Sequence, residues 1–420
     1  LALPENSFIN LNFEYFIANR IVKSKTAAKK ITRPVVKISV GAIALGLIIM
    51  IIALATGNGL RQEIRGKVTG FAGDIQVLNY QPNPTYEQTP SSLSDSLLQH
   101  IESLEFVERI EPFGRKAGII IHEDLFEGIV LKGVNGNYNW GSLDQYVRSG
   151  QIPKYNINGF NDSVLISETL AAKLKLQLND RFNMYFVRSD GRPPLLRKFY
   201  VSAIFQTDFE EIDENFIIGQ LKHIQRLSRW DSNQVSGYEI YTNQEKTDAL
   251  AQQEIRAMLP FDLDAVTARQ LNEQLFQWLD LFDLNIIVII GIMIIVATIN
   301  MSIALLILIL ERTQLIGILK ALGSANQSVR RIFLINAGFL IIRGLIWGNL
   351  IGIGLCLLQK HFKLIKLDPS VYYVSAVSID LNFIHILLLN LGTMIICLAC
   401  LVLPSLIISR ISPVKAIRFD

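Results

Sequence analysis

Two clusters in this chain combine residue types that do chemistry. Cys397 and Cys400 form a CxxC, the spacing of redox dithiols and of half a zinc site. His122, Glu123 and Asp124 stand side by side and could offer three metal-ligating side chains. Neither cluster is completed. The cysteines lie inside an apolar run with no second ligand pair, which makes them small packing residues. Cys356 lies in another apolar run, so the long polar segment carries no disulfide. His122-Glu123-Asp124 follows a strand-like run and reads as a turn. His100, His223, His361 and His385 are scattered, with no HExxH and no G-x-S-x-G elbow. No G-x-x-x-x-G-K-[ST] is present to cradle nucleotide phosphates. The expectation is a chain that is not an enzyme and holds no metal or cofactor of its own.

Two other stretches point to binding. In ERTQLIGILKALG, Glu311 to Gly323, Leu315, Ile318, Leu319 and Leu322 recur at i, i+3, i+4 and i+7, one stripe of a helix. Gly323 is placed as its C-cap, and Ser324 with Gln327 as the cap of the next helix. The stripe suits a groove on a partner protein or a membrane surface. In FNMYFVRSDGRPPLLRKFYVSAIF, two strand-like runs flank a tip whose Gly191, Pro193 and Pro194 cannot continue a ladder. Arg188, Arg192, Arg197 and Lys198 make the hairpin basic. A solvated loop is the bland reading; the sharper one is a projecting hook, stiffened by the prolines, with Leu195 and Leu196 as apolar contacts.

The elements that position these stretches belong in a bilayer. The chain has 420 residues, 50% hydrophobic and 18% charged, with positive mean hydropathy, too apolar for an ordinary soluble protein of this length. Runs at 38–58, 284–310, 332–358 and 383–409 are each long enough to cross about 30 Å of hydrocarbon as a helix. A signal peptide is the competing reading of the first, with Ala53-Leu54-Ala55 as its cleavage site. That run is longer than the roughly 7 to 15 residues of a signal h-region, and a long leader precedes it.

Charge sets the expected orientation. The segment 59–283 holds 22 basic and 31 acidic residues, whereas the rest of the chain holds 18 and 6. Basic residues concentrate before the first span (Arg20, Lys23, Lys25, Lys29, Lys30, Arg33, Lys37), in the loop 311–331 (Arg312, Lys320, Arg330, Arg331) and in the tail 410–420 (Arg410, Lys415, Arg418). Short basic segments stay cytoplasmic, so the segment 1–37, the loop and the tail fall inside, and 59–283 and the loop 359–382 fall outside. Lys360, Lys363 and Lys366 run against this in the second outer loop.

The fold class expected is a membrane protein of four transmembrane α-helices, one and then three, with a large α+β extracytoplasmic domain inserted between helices 1 and 2. Strand-like runs are GDIQVLNY, AGIIIHED, EGIVLKGV, SVLISET, FNMYFV, KFYVSAIF, ENFIIG and GYEIYT. SLSDSLLQHIESL, SETLAAKLKL, QLKHIQRLS and TDALAQQEIRAML carry helical spacing. At about 225 residues the domain has room for two lobes, and its ends, 59–70 and 268–283, are expected to continue the flanking spans as a stalk. Arg343 is the one cation inside a span and a functional candidate on that ground. Gly344, Gly348, Gly352 and Gly354 nearby suggest a close helix approach. Snorkelling or pairing at a subunit interface is the competing reading of Arg343.

These residues resemble a known family. E-x-x-x-x-I-G-I-L-K-A-L-G followed by a glycine-rich span, with PSLIISRISPVKAIRFD at the end, is similar to permeases of the MacB/FtsX-like, type VII, ABC transporters. The correspondence falls on Glu311, Ile316, Gly317, Lys320 and Gly323, and on Pro404, Arg410, Pro413, Ala416 and Arg418. FEYFIANRIVKSK and LDPSVYYVSAVSIDLN, with Asp368, Pro369, Tyr372 and Tyr373, resemble the lipoprotein-releasing LolC/LolE permeases; Ser378 and Arg343 depart from their pattern. The resemblance implies a permease without catalytic residues in the bacterial inner membrane. It implies a separate LolD-like ATPase that binds ATP and Mg, and a second permease copy or paralogue. It further implies a LolA-like periplasmic carrier at the hairpin, a lipoprotein substrate, contact with membrane lipid and no nucleic-acid partner. The segment from Glu311 would be the ATPase-coupling helix, and ATP-driven closure would push lipoprotein outward by mechanotransmission. A MacB-like efflux permease or an FtsX-like regulator of wall hydrolases is the alternative within the family, and a membrane-anchored receptor or scaffold the alternative outside it.

Overall fold

The computed structural model describes residues 10–23, 32–80, 89–156, 159–188, 192–243 and 248–410. Lys25, Lys29, Lys30, Gly191, Pro413, Lys415, Ala416 and Arg418 lie outside the described residues. Along the chain, α1 (Asn10–Lys23) and α2 (Thr32–Ala72) precede β1 (Ile75–Asn79), α3 (Asp95–Glu102), β2 (Val107–His122), β3 (Leu125–Val134), α4 (Gly141–Asp144) and β4 (Val147–Gly150). Then come β5 (Ser163–Ser167), α5 (Glu168–Leu174), β6 (Arg181–Phe186), β7 (Leu195–Phe205), α6 (Glu210–Asn215), β8 (Phe216–Gln220) and α7 (Leu221–Ser228). β9 (Gly237–Thr242), α8 (Asp248–Met258), β10 (Leu263–Thr267) and α9 (Ala268–Leu271) complete this part. The remainder is α10 (Glu273–Glu311), α11 (Thr313–Ala321), α12 (Asn326–Phe362), α13 (Pro369–Tyr372), α14 (Phe383–Ser405) and α15 (Ile407–Arg410).

The chain divides into a helical unit, 1–60 with 279–365 and 377–420, and a mixed unit, 61–278 with 366–376. Among the described residues, four helices are long and apolar enough to cross a membrane: Val36–Ala72, Glu273–Glu311, Asn326–Phe362 and Phe383–Ser409. In the helical unit one core joins Leu47 and Met50 of α2, Met301 and Leu305 of α10, Phe333 and Ile341 of α12, and Leu401 of α14. Outside it, Ile287, Ile295, Leu350 and Leu388 stay exposed, as expected where lipid, not water, is the solvent. α1 packs on this unit through buried Ala18. Glu14 accepts from Ser328 Oγ at 2.5 Å, while Phe13 and Phe16 remain exposed.

Among the described residues the mixed unit has ten strands. β2 pairs with β3, β3 with β8, β8 with β5, β5 with β7, β7 with β6 and β6 with β2, so six strands close a ring. Pairings β3–β8 and β5–β7 are parallel and the others antiparallel. Alternating residues such as Ile120, Met184, Phe186, Phe199 and Val201 fill the interior with the underside of α5, as period-two geometry requires. A second sheet, β10–β1–β9–β2, shares the long strand β2. It builds its own core with α3 and α8, from Val77, Ile101, Ile240, Ile255 and Ala265.

All eight strand-like runs and all four helical runs of this segment fold as such. Two strands, β4 and β10, were not expected, nor was the first half of β2, where Pro112 breaks the alternation. The stalk is also different at its second end. Thr267 and Gln270 form a capping box that starts α9 as a separate helix. α10 begins only at Glu273, so 268–271 is not part of the long helix.

Candidate functional site

α11 is defined by its two ends. Thr313 Oγ1 turns back to Leu310 O at 2.6 Å, and non-helical Arg312 separates it from α10. At the other end Gly323 has φ +91°. Its N–H donates to Lys320 O and that of Ser324 to Leu319 O, both at 3.0 Å. That pair of bonds is a Schellman motif and requires the left-handed residue that glycine supplies at no steric cost. The helix after it is not capped as expected: Ala325, not Ser324, is the N-cap of α12, with no side-chain hydrogen bond. α12 also takes in Arg330 and Arg331, so only the first part of the loop 311–331 is a separate helix.

The expected apolar stripe of α11 is split by the structure. Ile316, Gly317 and Leu319 are buried, Ile316 and Leu319 within the helical core beside Val329, Ile332 and Phe333, and Leu315 packs at its edge. Ile318 and Leu322 face outward, 45% and 78% exposed, in one i, i+4 row with exposed Gln314. Lys320 is structural on one side: its Nζ donates to Ile408 O on α15 at 2.7 Å, and burial lowers its pKa. Both carboxylate oxygens of Glu311 are enclosed without a hydrogen-bond partner among the described residues.

The hairpin is confirmed as β6 and β7, with Phe186 opposite Leu195, Tyr185 opposite Leu196 and Met184 opposite Arg197. Arg192, Pro193 and Pro194 are exposed at its tip and Arg188 is half-buried. The two leucines separate: Leu196 is exposed, whereas Leu195 turns inward against the barrel core. Leu195 is therefore a packing residue. Alternation along a strand forces neighbours to opposite faces.

Arg343 is exposed on α12 and makes no hydrogen bond or ion pair among the described residues. Gly344, Gly348 and Gly352 lie on another face, whereas Gly354, expected with them, has nothing within 4 Å of its Cβ position and takes no part in a close helix approach. A Cβ at Gly344 would meet Ile43 Cγ2 at 2.7 Å, and one at Gly348 would meet Leu47 Cβ at 2.9 Å, so these two let α12 touch α2 directly. Arg343 instead shares an i, i+4 row with exposed Trp347.

Two polar pairs went unremarked in the sequence. Asn349 and Asn390 exchange amide hydrogen bonds of 2.7 and 3.0 Å between α12 and α14; lone asparagines inside two apolar runs were the available signal. Lys132 Nζ meets Glu239 at 2.8 Å with both side chains fully buried and also donates to Phe71 O near the end of α2. Tyr241 donates to the same carboxylate at 3.3 Å. Burial lowers the pKa of Lys132, opposed by Glu239. A lysine within the apolar run EGIVLKGV was the signal there.

His122 and Leu125 pair across a two-residue turn, and His122 Nδ1 lies 3.0 Å from Leu174 O. Cys356, Cys397 and Cys400 are free thiols. Among the described residues no group of three His, Cys, Asp or Glu is arranged to hold a metal ion.

Comparison with known proteins gives these surfaces a family. The MacB-like periplasmic core domain matches residues 38–258 and the FtsX-like permease C-terminal domain matches residues 287–413. A lipoprotein-releasing system transmembrane protein LolC of Xylella fastidiosa is 21% identical over 91% of this chain and 93% of its own length. A LolE of Haemophilus influenzae is 19% identical over 97% and 99%. The periplasmic region of MacB from Actinobacillus actinomycetemcomitans aligns with TM-score 0.36 at 11% identity, covering 50% of this chain and 95% of that one. The first family match alone spans more than half of the chain, and the chain belongs to the family with the MacB-like periplasmic core domain, joined here to an FtsX-like permease C-terminal region.

Proposed function

We propose that this chain is the membrane-spanning permease of an ABC transporter that draws lipoproteins out of the inner membrane and passes them to a soluble periplasmic carrier. The observation that carries this reading is the likeness to lipoprotein-releasing permeases along 91% of the chain. Both termini and α11 lie in the cytoplasm, and the mixed unit lies in the periplasm. A separate ATPase subunit, holding ATP and Mg, docks on α11 through Ile318 and Leu322, the two large apolar side chains that its packing leaves exposed. A second permease, a copy or a paralogue, completes the complex.

Energy is needed because each CH₂ of an acyl chain costs about 0.8 kcal/mol to bring out of the membrane. Closure of the ATPases displaces α11. That displacement passes along α10, a continuous helix of 39 residues, and along α2, of 41 residues. The hairpin then presents Arg192, Pro193, Pro194 and Leu196 to the carrier.

A photo-crosslinking residue at Pro194 in intact cells tests the reading. A soluble lipoprotein-binding carrier should be trapped, and the product should disappear when Arg192 and Arg197 are both changed to Glu. Capture of a wall hydrolase or an outer-membrane channel would move the function to division or efflux within the same family.

A further inference from the structure

The outer loop between α12 and α14 is a stiff tongue. Val377 N–H donates to Ile365 O at 3.1 Å and Leu367 N–H to Ser375 O at 3.0 Å, with Lys366 and Ala376 bridged between them. Gln359, buried on α12, clamps the neck. Its Nε2 donates to Ile365 O at 3.1 Å and Val377 O at 3.2 Å, and its Oε1 accepts from Ile365 N–H at 3.0 Å. Farther out, Asp368 caps the single turn of α13 by accepting from Ser370 N–H. A loop with this many internal bonds moves as one piece.

At its tip Tyr373 has φ +60°, a left-handed conformation that disfavours a side chain with a Cβ. The ring lies 5.2 Å from that of Phe209 and 5.8 Å from that of Trp278, the latter edge-on. Its carbonyl accepts from Lys67 Nζ at 3.0 Å. Lys67 is itself buried on α2, with Glu63 at 3.7 Å. One strained residue is thus the meeting point of α2, the segment after β7 and the beginning of α10. The left-handed conformation itself ends the turn of α13, where Tyr373 N–H donates to Pro369 O at 2.9 Å; what ordinary loop packing would not need is a buried ammonium spent on the carbonyl of that residue.

We infer that Tyr373 is a positioning residue for transport: the tongue ties the outer end of α2, through Lys67, to the start of α10, through Trp278. The inference rests on the transport reading above. It adds a joint between those two long helices, made by the chain that links α12 to α14.

The test uses the full chain with its ATPase in proteoliposomes, a triacylated lipoprotein as the substrate and the soluble carrier outside. ATP hydrolysis and lipoprotein release are measured together. Tyr373→Gly removes the ring and also relieves the left-handed strain, so its folding is favoured; Tyr373→Ala removes the ring alone, and Tyr373→Phe keeps it. The glycine and alanine variants should release about tenfold less lipoprotein per ATP, with hydrolysis within about twofold of the parent. The phenylalanine variant should behave as the parent. An unchanged release per ATP in Tyr373→Gly overturns the inference, and so does an equal loss of hydrolysis and release, the mark of a merely structural residue. A parent protein that hydrolyses ATP but releases no lipoprotein sinks the transport reading itself, and the inference with it, before any variant is compared.

Discussion

Lys132 Nζ and the Glu239 carboxylate stand 2.8 Å apart with neither side chain reached by water, and the same ammonium holds Phe71 O near the end of α2. Lys132 thereby fastens the end of α2 to the mixed sheet, and its charge pair with Glu239 would be costly to separate.

Removing one partner should therefore be worse than removing both. Lys132→Met leaves a buried carboxylate unpaired and should cost about 3–5 kcal/mol of stability. Lys132→Met with Glu239→Leu should recover much of that loss. Denaturant unfolding of the purified chain, followed through the mixed unit, checks it. Equal losses in the single and double variants would contradict the pairing.

α11 predicts a separation between neighbouring positions. Ile318→Asp and Leu322→Asp alter exposed side chains, so the permease should fold and insert normally yet retain its ATPase at least about tenfold less well. Ile316→Asp buries a charge in the helical core and should reduce the yield of folded permease instead. Co-purification of the ATPase against total inserted permease distinguishes the two.

The contact of α12 with α2 predicts another. Gly348→Leu puts a side chain where a Cβ already meets Leu47 at 2.9 Å, and thermal stability in detergent should fall. Gly354→Ala meets nothing within 4 Å and should be neutral or stabilising by up to about 1 kcal/mol.

His223 makes stability depend on pH. Its ring is packed between those of Phe160 and Phe199, and burial lowers its pKa from the ordinary 6.5, opposed by Asn161 O at 3.0 Å and by Asp162. Arg197 and Arg226 push the same way as burial. A histidine with a lower pKa when folded binds fewer protons than the unfolded chain, so stability is full above about pH 6.5 and is lost as the pH falls below it. The melting temperature of the mixed unit should drop between about pH 7 and pH 5, and less steeply in His223→Gln.

Much of the architecture was legible from local pattern. Apolar runs of twenty or more residues have few ways to exist in a cell except as membrane helices, because every backbone polar group must be satisfied within the helix. The strand runs of the mixed unit are β-branched and bounded by turn residues, and they formed where expected. β10 and the first half of β2 were missed because LDAVT is short and Pro112 interrupts VERIEPFG. Within the candidate site the position of α11 and its glycine end were readable, since a Schellman turn is a local motif. Which of its leucines and isoleucines would be free was not.

Four spans, a mixed domain between the first two, a short amphipathic helix after the second, and a basic hairpin all follow from the order of residues alone. Each rests on interactions within a few residues of chain. Packing in three dimensions left Ile318 and Leu322 exposed while burying Ile316 and Leu319, and turned Leu195 in and Leu196 out. It also set Gly344, Gly348 and Gly352 on a face of α12 away from Arg343, and brought Lys67 and Trp278 to Tyr373. A periodic apolar stripe says that a face will be covered. What covers it is settled by side chains tens to hundreds of residues away, such as Lys67 and Tyr373, whose meeting no local spacing encodes.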